Sequence, residues 1–252
     1  MAKASPTRLT FVGKREITLN GQAITYTIKS SPRTKCARLE VGSDTGLTVV
    51  IPRYYELDWL PDLLKGKDRW ILSKMAKYRQ VRSLMAEKEL GSGDAIPYLG
   101  QDREVVTQQS HRNMSSVKLE RKKLIVSIGV GNGGLNLVLE RWYRTQAGEL
   151  IREKADKISA HLGVRYNRLI IRGQRARWGS CSQKGNLSFN WRLAMAPEPV
   201  IDYVIIHELA HLKEMNHSKK FWELVAKHCT QWRKHKRWLK EHEAELLAKL
   251  SG

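Results

Sequence analysis

The sequence predicts an α+β fold, with a strand-rich part carrying one long helix over residues 1–134 and a mainly helical part with a small β-sheet over residues 135–252. Three observations point there. β-Branched and alternating segments crowd the first half, apolar residues at three- and four-residue intervals dominate the second, and a glycine-rich break at Gly129-Val130-Gly131-Asn132-Gly133-Gly134 separates them.

From Leu9 to Pro52 the pattern is that of strands. Ile24-Thr25-Tyr26-Thr27-Ile28 alternates and Leu47-Thr48-Val49-Val50-Ile51 is β-rich, with Gly21, Gly42 and Gly46 as turns. Tyr55 to Glu89 carries helical spacing through Trp59, Leu63, Trp70, Ile71, Met75 and Tyr78, which reads as one long helix. After Gly91-Ser92-Gly93-Asp94, strands resume over Ile96 to Val106 and Ser116 to Ile128. The glycine run that follows lacks the Gly-Lys-Ser/Thr ending of a phosphate loop, so it reads as a connection into a helix over Leu135 to Leu162. Leu169-Ile170-Ile171 and Leu187 to Met195 read as strands, the second introduced by a turn at Ser182 to Asn186. Pro197 and Pro199 suit the first turn of the next helix. No internal repeat is visible.

Composition narrows the class. With 41% hydrophobic and 28% charged residues the chain is a soluble globular protein rather than a disordered one. The formal net charge of +20, from 45 Lys and Arg against 25 Asp and Glu, favours polyanions such as nucleic acid or nucleotide phosphates. Cys36, Cys181 and Cys229 are odd in number, far apart and never in a CxxC pair, which excludes a disulfide framework or a cysteine-rich zinc site. No stretch approaches ~18 apolar residues and Met1 to Leu9 lacks a signal-peptide core, so the expected compartment is the reducing cytoplasm, with no membrane partner.

The chemistry lies in His207-Glu208-Leu209-Ala210-His211. On a helix, residues four apart share a face, so both imidazoles can turn toward one ion. Glu208 sits about 100° further round, placed to act on a ligand of that ion rather than to bind it. Ile201, Ile205, Leu209 and Leu212 form a core-facing stripe, and Val200, Val204 and Ile206 make the remaining surface apolar too. An ionised glutamate in such a helix costs several kcal/mol unless something compensates it, and a metal would. Zinc in a hydrolytic site takes three protein ligands and leaves a fourth position for water. His217, six positions beyond His211, supplies the third: Asn216 tolerates the left-handed backbone that ends a helix, and Ser218 can cap a helix over Lys219 to Lys227. The spacing is that of the metzincin HExxHxxGxxH pattern, with Glu214 where that pattern has glycine.

Four blocks in order then resemble a known family. They are Arg172-Gly173-Gln174-Arg175-Ala176-Arg177-Trp178-Gly179-Ser180-Cys181-Ser182, Asn190-Trp191-Arg192-Leu193, Ile201 to Leu212 and Asn216-His217-Ser218 with Phe221-Trp222. Together they resemble the YgjP-like metallopeptidases, a group related to the SprT and WLM metalloproteases. The resemblance implies a zincin-like catalytic core, a zinc-dependent hydrolase, His207, His211 and His217 as ligands, Glu208 as the catalytic residue, and a polypeptide substrate. It departs from the family at Arg175-Ala176, where a Lys-Thr pair is usual, and at Cys229-Thr230, where proline is common.

Five arginines and no acidic residue fall between Arg165 and Ser180. Substrate or phosphate contact is the reading for that charge, with Arg172, Arg175, Arg177, Ser180 and Tyr203 as candidate substrate-binding or oxyanion-stabilising groups. Ser218 to Lys240 holds eight Lys or Arg against Glu223, with Trp222, Trp232 and Trp238 interleaved. That pattern is either a DNA- or RNA-binding surface or an amphipathic helix pair with inward tryptophans. Three functions stay open: a zinc metallopeptidase, a metal-dependent nucleotide phosphoanhydride hydrolase, and a nucleic-acid-binding module with structural zinc. Sites of three histidines also accept other first-row divalent ions.

Overall fold

The computed structural model describes residues 9–32, 34–42, 46–53, 56–86, 90–110, 113–131, 133–174 and 177–250. Tyr55, Glu89, Asn132 and Arg175, each named above, lie outside the described residues. Contacts divide the chain into two compact units, Met1–Leu84 and Met85–Gly252. The division expected at residue 134 is thus not where the contacts fall, because the strands preceding the glycine run pack with the long helix that follows it.

In the first unit β1 (Thr10–Leu19), β2 (Gln22–Ser31), β3 (Arg38–Gly42) and β4 (Gly46–Pro52) form a sheet in the order β1-β2-β4-β3. Asn20 and Gly21 both take positive φ, 45° and 76°, which is the turn a two-residue hairpin requires. Ile24, Tyr26 and Ile28 alternate inward as their spacing predicts. They close a core with Leu47, Val49, Ile51, Leu60, Leu64 and Ile71. The expected single helix is two, α1 (Leu60–Lys65) and α2 (Asp68–Ala86). Gly66 ends the first, its N–H bonded back to Asp62 O at 2.9 Å, and the chain restarts at Asp68.

The second unit begins with β5 (Ala95–Tyr98), β6 (Gln101–Ser110), β7 (Ser116–Glu120) and β8 (Lys123–Gly129), ordered β5-β6-β8-β7. This is the connectivity of the first sheet: antiparallel hairpin, parallel pairing of second and fourth strands, antiparallel third and fourth. Its first hairpin also turns on two positive-φ residues, Leu99 (52°) and Gly100 (75°). The fold therefore contains a structural repeat that the sequence does not display.

That second hairpin has a further task. Leu99 and Gly100 donate N–H bonds to Ala194 O and Met195 O at 2.8 and 3.1 Å. A side chain at Gly100 would meet Pro197 at 2.8 Å. The hairpin tip is thereby pressed against the residues that lead into α4 (Glu198–Ala210). From below, α3 (Leu135–Leu162) lays Leu139, Tyr143, Ala147, Ile151 and Ala155, all fully buried and four apart, along one face. Lys154 on α3 holds Glu198 and Asp202 of α4, each at 2.9 Å.

A three-stranded sheet of β9 (Arg168–Arg172), β10 (Gly179–Cys181) and β11 (Asn186–Asn190), in the order β10-β11-β9, places β10 at an edge. The strand expected to run to Met195 stops at Asn190, and Trp191–Met195 is a 3₁₀ turn. Asn190 is the reason. Its side-chain oxygen accepts from Arg192 N at 3.1 Å and caps the turn, while its amide donates to Gln174 O. Helices α5 (Lys219–His228) and α6 (Trp232–Ala248) complete the unit. Among the described residues no helix is long and apolar enough to cross a membrane.

Candidate metal centre

Helix α4 is buried on nearly every side, as its sequence requires: Val200, Ile201, Tyr203, Val204, Ile205, Ile206, Leu209 and Ala210 are all in the core. Each such aliphatic contributes ~1.5–3 kcal/mol on burial, so the helix is a rigid platform. Glu208 is carried into this environment with only 6% of its surface exposed. Burial pushes its carboxyl up to about 8 from an ordinary 4.5, against a partial opposing pull from the Arg177 guanidinium.

His207 lies in the last turn of α4 and His211 just past its end. The chain then folds back through Lys213 and Glu214, whose N–H groups both bond Ala210 O at 3.0 Å. Asn216 is not among the described residues with left-handed backbone, so the return to His217 differs from the expected helix stop. It is made by the Ser218 N–H closing on Asn216 O at 2.8 Å, after which the Ser218 hydroxyl caps α5 by accepting from Phe221 N at 3.3 Å. The predicted cap is therefore present and the predicted backbone twist is not.

The three rings converge. His207 Nε2 and His217 Nε2 stand 3.0 Å apart, and one ring nitrogen from each of His207, His211 and His217 lies within 4.8 Å of the others. The Nδ1 of His211 sits 3.0 Å from Glu214 O, which leaves its Nε2 as the outward donor. Burial first, then the neighbouring His211 and His217 charges and Lys236, hold His207 down to about 3; burial, His211 and Lys236 lower His217 as well. Neutral imidazoles with lone pairs facing one another are the donor set that a divalent cation takes, so the residues present fit a bound metal. Phe221 stacks on His211 at 4.5 Å and Trp222 on His217 at 5.6 Å, which fixes the ring orientations.

Gly179 is a participant that sequence reasoning placed in a motif without seeing its task. A Cβ there would stand 2.6 Å from Glu208 Cγ and Oε1. Only glycine lets the β10 backbone lie flat against the carboxylate. Successive strand residues face opposite ways, so Ser180 points to the other side, where its hydroxyl bonds Ser188 Oγ at 2.8 Å. Ser180 shares that side with Arg168, Arg172 and Arg177 in a separate shallow depression. Tyr203 lies in the cleft beside His207 and Glu208. Burial pushes its hydroxyl up to about 12, so it remains a proton donor at neutral pH. Cys181 is pushed up to about 11 by burial and by Glu208, the opposite of a reactive thiolate.

The basic segment 218–240 also takes a definite form. Trp222 and Trp232 stack at 4.3 Å, Lys236 lies over the Trp222 ring at 4.6 Å, and Trp238 stacks on His242 at 4.1 Å. Trp222 and Trp232 are engaged with each other and with Lys236, and Trp238 with His242.

Comparison with known proteins follows the same direction. A family profile described as YgjP-like, metallopeptidase domain, matches residues 35–242. Among solved structures, the metallopeptidase zymogen of Pyrococcus abyssi abylysin is similar at 24% identity with a TM-score of 0.33, over 36% of this chain and 93% of that one. No curated protein matches.

Proposed function

The chain belongs to the YgjP-like metallopeptidase family, and on that premise we propose that it is a zinc-dependent peptidase in which His207, His211 and His217 hold the ion and Glu208 is the general base. Membership of a metallopeptidase family carries a metal cofactor and a polypeptide substrate. The observation that supports the finer assignment is the juxtaposition of three converging imidazoles with a buried carboxylate pressed against an edge strand.

A bound zinc ion would supply Lewis acidity and make a water acidic enough to be deprotonated near neutral pH. Glu208, buried beside the three imidazoles, would have its carboxylate form favoured by the cation and would take that water's proton. The water oxygen then bonds to the peptide carbonyl carbon, the carbon–nitrogen bond breaks, and Glu208 returns the proton to the departing amine. Tyr203, protonated and lining the same cleft, is the candidate donor to the oxyanion. Strand β10 pairs only with β11 among the described strands, so its free edge beside Glu208 offers backbone groups to an extended peptide.

The nucleotide-hydrolase reading rests on the arginines between Arg165 and Ser180, among them Arg168, Arg172 and Arg177, and the nucleic-acid reading also on the basic segment 218–240. Arg168, Arg172 and Arg177 line a different depression from the one containing Glu208 and His207. The structural-zinc reading leaves the buried Glu208 without a purpose. The test is a comparison of zinc-loaded wild type with Glu208→Gln on a denatured polypeptide. The Gln variant is expected to keep its zinc and lose ~10²–10⁴-fold in cleavage rate. Undiminished cleavage removes Glu208 from the mechanism, and nucleotide turnover without peptide cleavage favours the alternative hydrolase.

A further inference from the structure

Immediately beside Glu208 and His207 opens a cleft of about 300 Å³ that none of the assignments above uses beyond its catalytic edge. Its floor is apolar and fixed: Tyr203, Val204 and Leu239 are all buried, with Trp178 as a side wall. Its rim is not apolar. Lys236 and Lys240, both exposed, come from successive turns of α6 and therefore stand on the same face.

Two ammonium groups four residues apart repel one another by a few tenths of a kcal/mol in a helix. Neither lysine forms an ion pair with a described carboxylate; Lys236 lies over the Trp222 ring at 4.6 Å, and Lys240 has no such contact. The third charged group at the rim, Glu243, already has an interaction of its own. On another face of α4, Lys154 is matched by Glu198 and Asp202. The cleft therefore presents an apolar barrel wide enough for a side chain, rimmed by Glu243 and by two lysines that form no ion pair with a carboxylate among the described residues.

Resting on the peptidase reading, we infer that this cleft is a specificity subsite for an acidic side chain, Glu or Asp, of the residue next to the scissile bond, with Lys240 and Lys236 receiving its carboxylate. The methylene stem packs on Leu239 and Val204 while the carboxylate reaches the rim. Lys240 is the principal specificity residue. Lys236 is shared with the tryptophan stack and contributes second.

The experiment uses the zinc-loaded full chain and a peptide set identical except at one position flanking the cleaved bond, occupied by Glu, Gln, Leu or Lys. The Glu peptide is expected to exceed the Gln peptide about tenfold in kcat/KM, the size of two half-exposed ion pairs. The advantage shrinks as salt is raised, because such pairs are screened. Lys240→Glu, at an exposed position, keeps its zinc content and melting temperature and shifts the preference from Glu to Lys. Fluorescence anisotropy of the same labelled peptides on Glu208→Gln protein gives a readout independent of turnover, with the Glu peptide binding more tightly than its Gln counterpart. Equal cleavage of Glu and Gln peptides, or a preference for Leu that Lys240→Glu leaves unchanged, overturns the subsite while the peptidase reading stands. Failure of every peptide to be cleaved or bound overturns both.

Discussion

Replacing Gly179 with alanine isolates the contact between β10 and Glu208. Gly179 lies in extended backbone without a left-handed φ, so alanine fits the strand and the perturbation is purely one of space. The new Cβ would stand 2.6 Å from Glu208 Cγ and Oε1 and 2.8 Å from Cδ. Ordinary contact begins near 3.4 Å, so the carboxylate must retreat by about 0.8 Å. Overpacking of this kind costs ~1–3 kcal/mol of stability. The catalytic effect is disproportionate, because a displacement near 1 Å costs ~10²-fold in rate when the displaced group is the proton acceptor. The imidazoles are untouched. Turnover of a peptide substrate, zinc content and thermal melting are measured on the same preparation. The expected result is kcat down about 100-fold with full zinc occupancy and a folded protein. Turnover within twofold of wild type would show that the Gly179 contact does not position Glu208, as would loss of zinc in step with activity, since the effect would then pass through the imidazoles.

Two further outcomes follow from the site. Ser218→Ala removes the cap of α5 and is expected to cost about 1 kcal/mol in chemical denaturation and to weaken zinc retention against a competing chelator, because His217 precedes the cap directly; unchanged zinc retention would show that the turn holds His217 without the cap. In metal-free protein, Glu208 has a folded-state value of about 8 against an ordinary 4.5, so its stabilising contribution is complete below about 4.5 and is lost as pH rises through about 8. Glu208→Gln lacks this loss, so its stability relative to wild type is expected to grow across that window by at most ~1.4 kcal/mol per pH unit. A difference that stays flat argues against an uncompensated buried carboxyl.

The candidate metal centre was more legible in the sequence than the fold around it, for a physical reason. His207 and His211 are related by the pitch of one helix, and His217 by a short return, so local geometry alone brings them together. The contact of Gly179 with Glu208 joins residues on different elements, and no periodicity connects them. The break at Gly66 was hidden because apolar residues on both sides keep helical spacing. The end of β11 was hidden because Trp191, Leu193 and Met195 alternate as a strand would, while the Asn190 side chain redirects the backbone into a 3₁₀ turn. Ser180 was weighed as an oxyanion donor from proximity in a motif, whereas strand alternation turns it to the arginine-bearing face. The repeated sheet was invisible for another reason: it is a pattern of hydrogen-bond partners and turn angles, and many side-chain sets satisfy it.

That repeated weave puts one turn geometry in two different surroundings within one chain. In the second copy the tip of the first hairpin, Leu99-Gly100, has become a bracket for the entry to α4 and can no longer drift. In its counterpart, Asn20-Gly21, both φ values are again positive, and a Cβ at Gly21 would meet nothing within 4 Å among the described residues. A side chain at Gly21 is therefore opposed by backbone strain alone, whereas one at Gly100 is opposed by strain and by collision with Pro197. Two loops of common geometry thus differ in what a substitution costs.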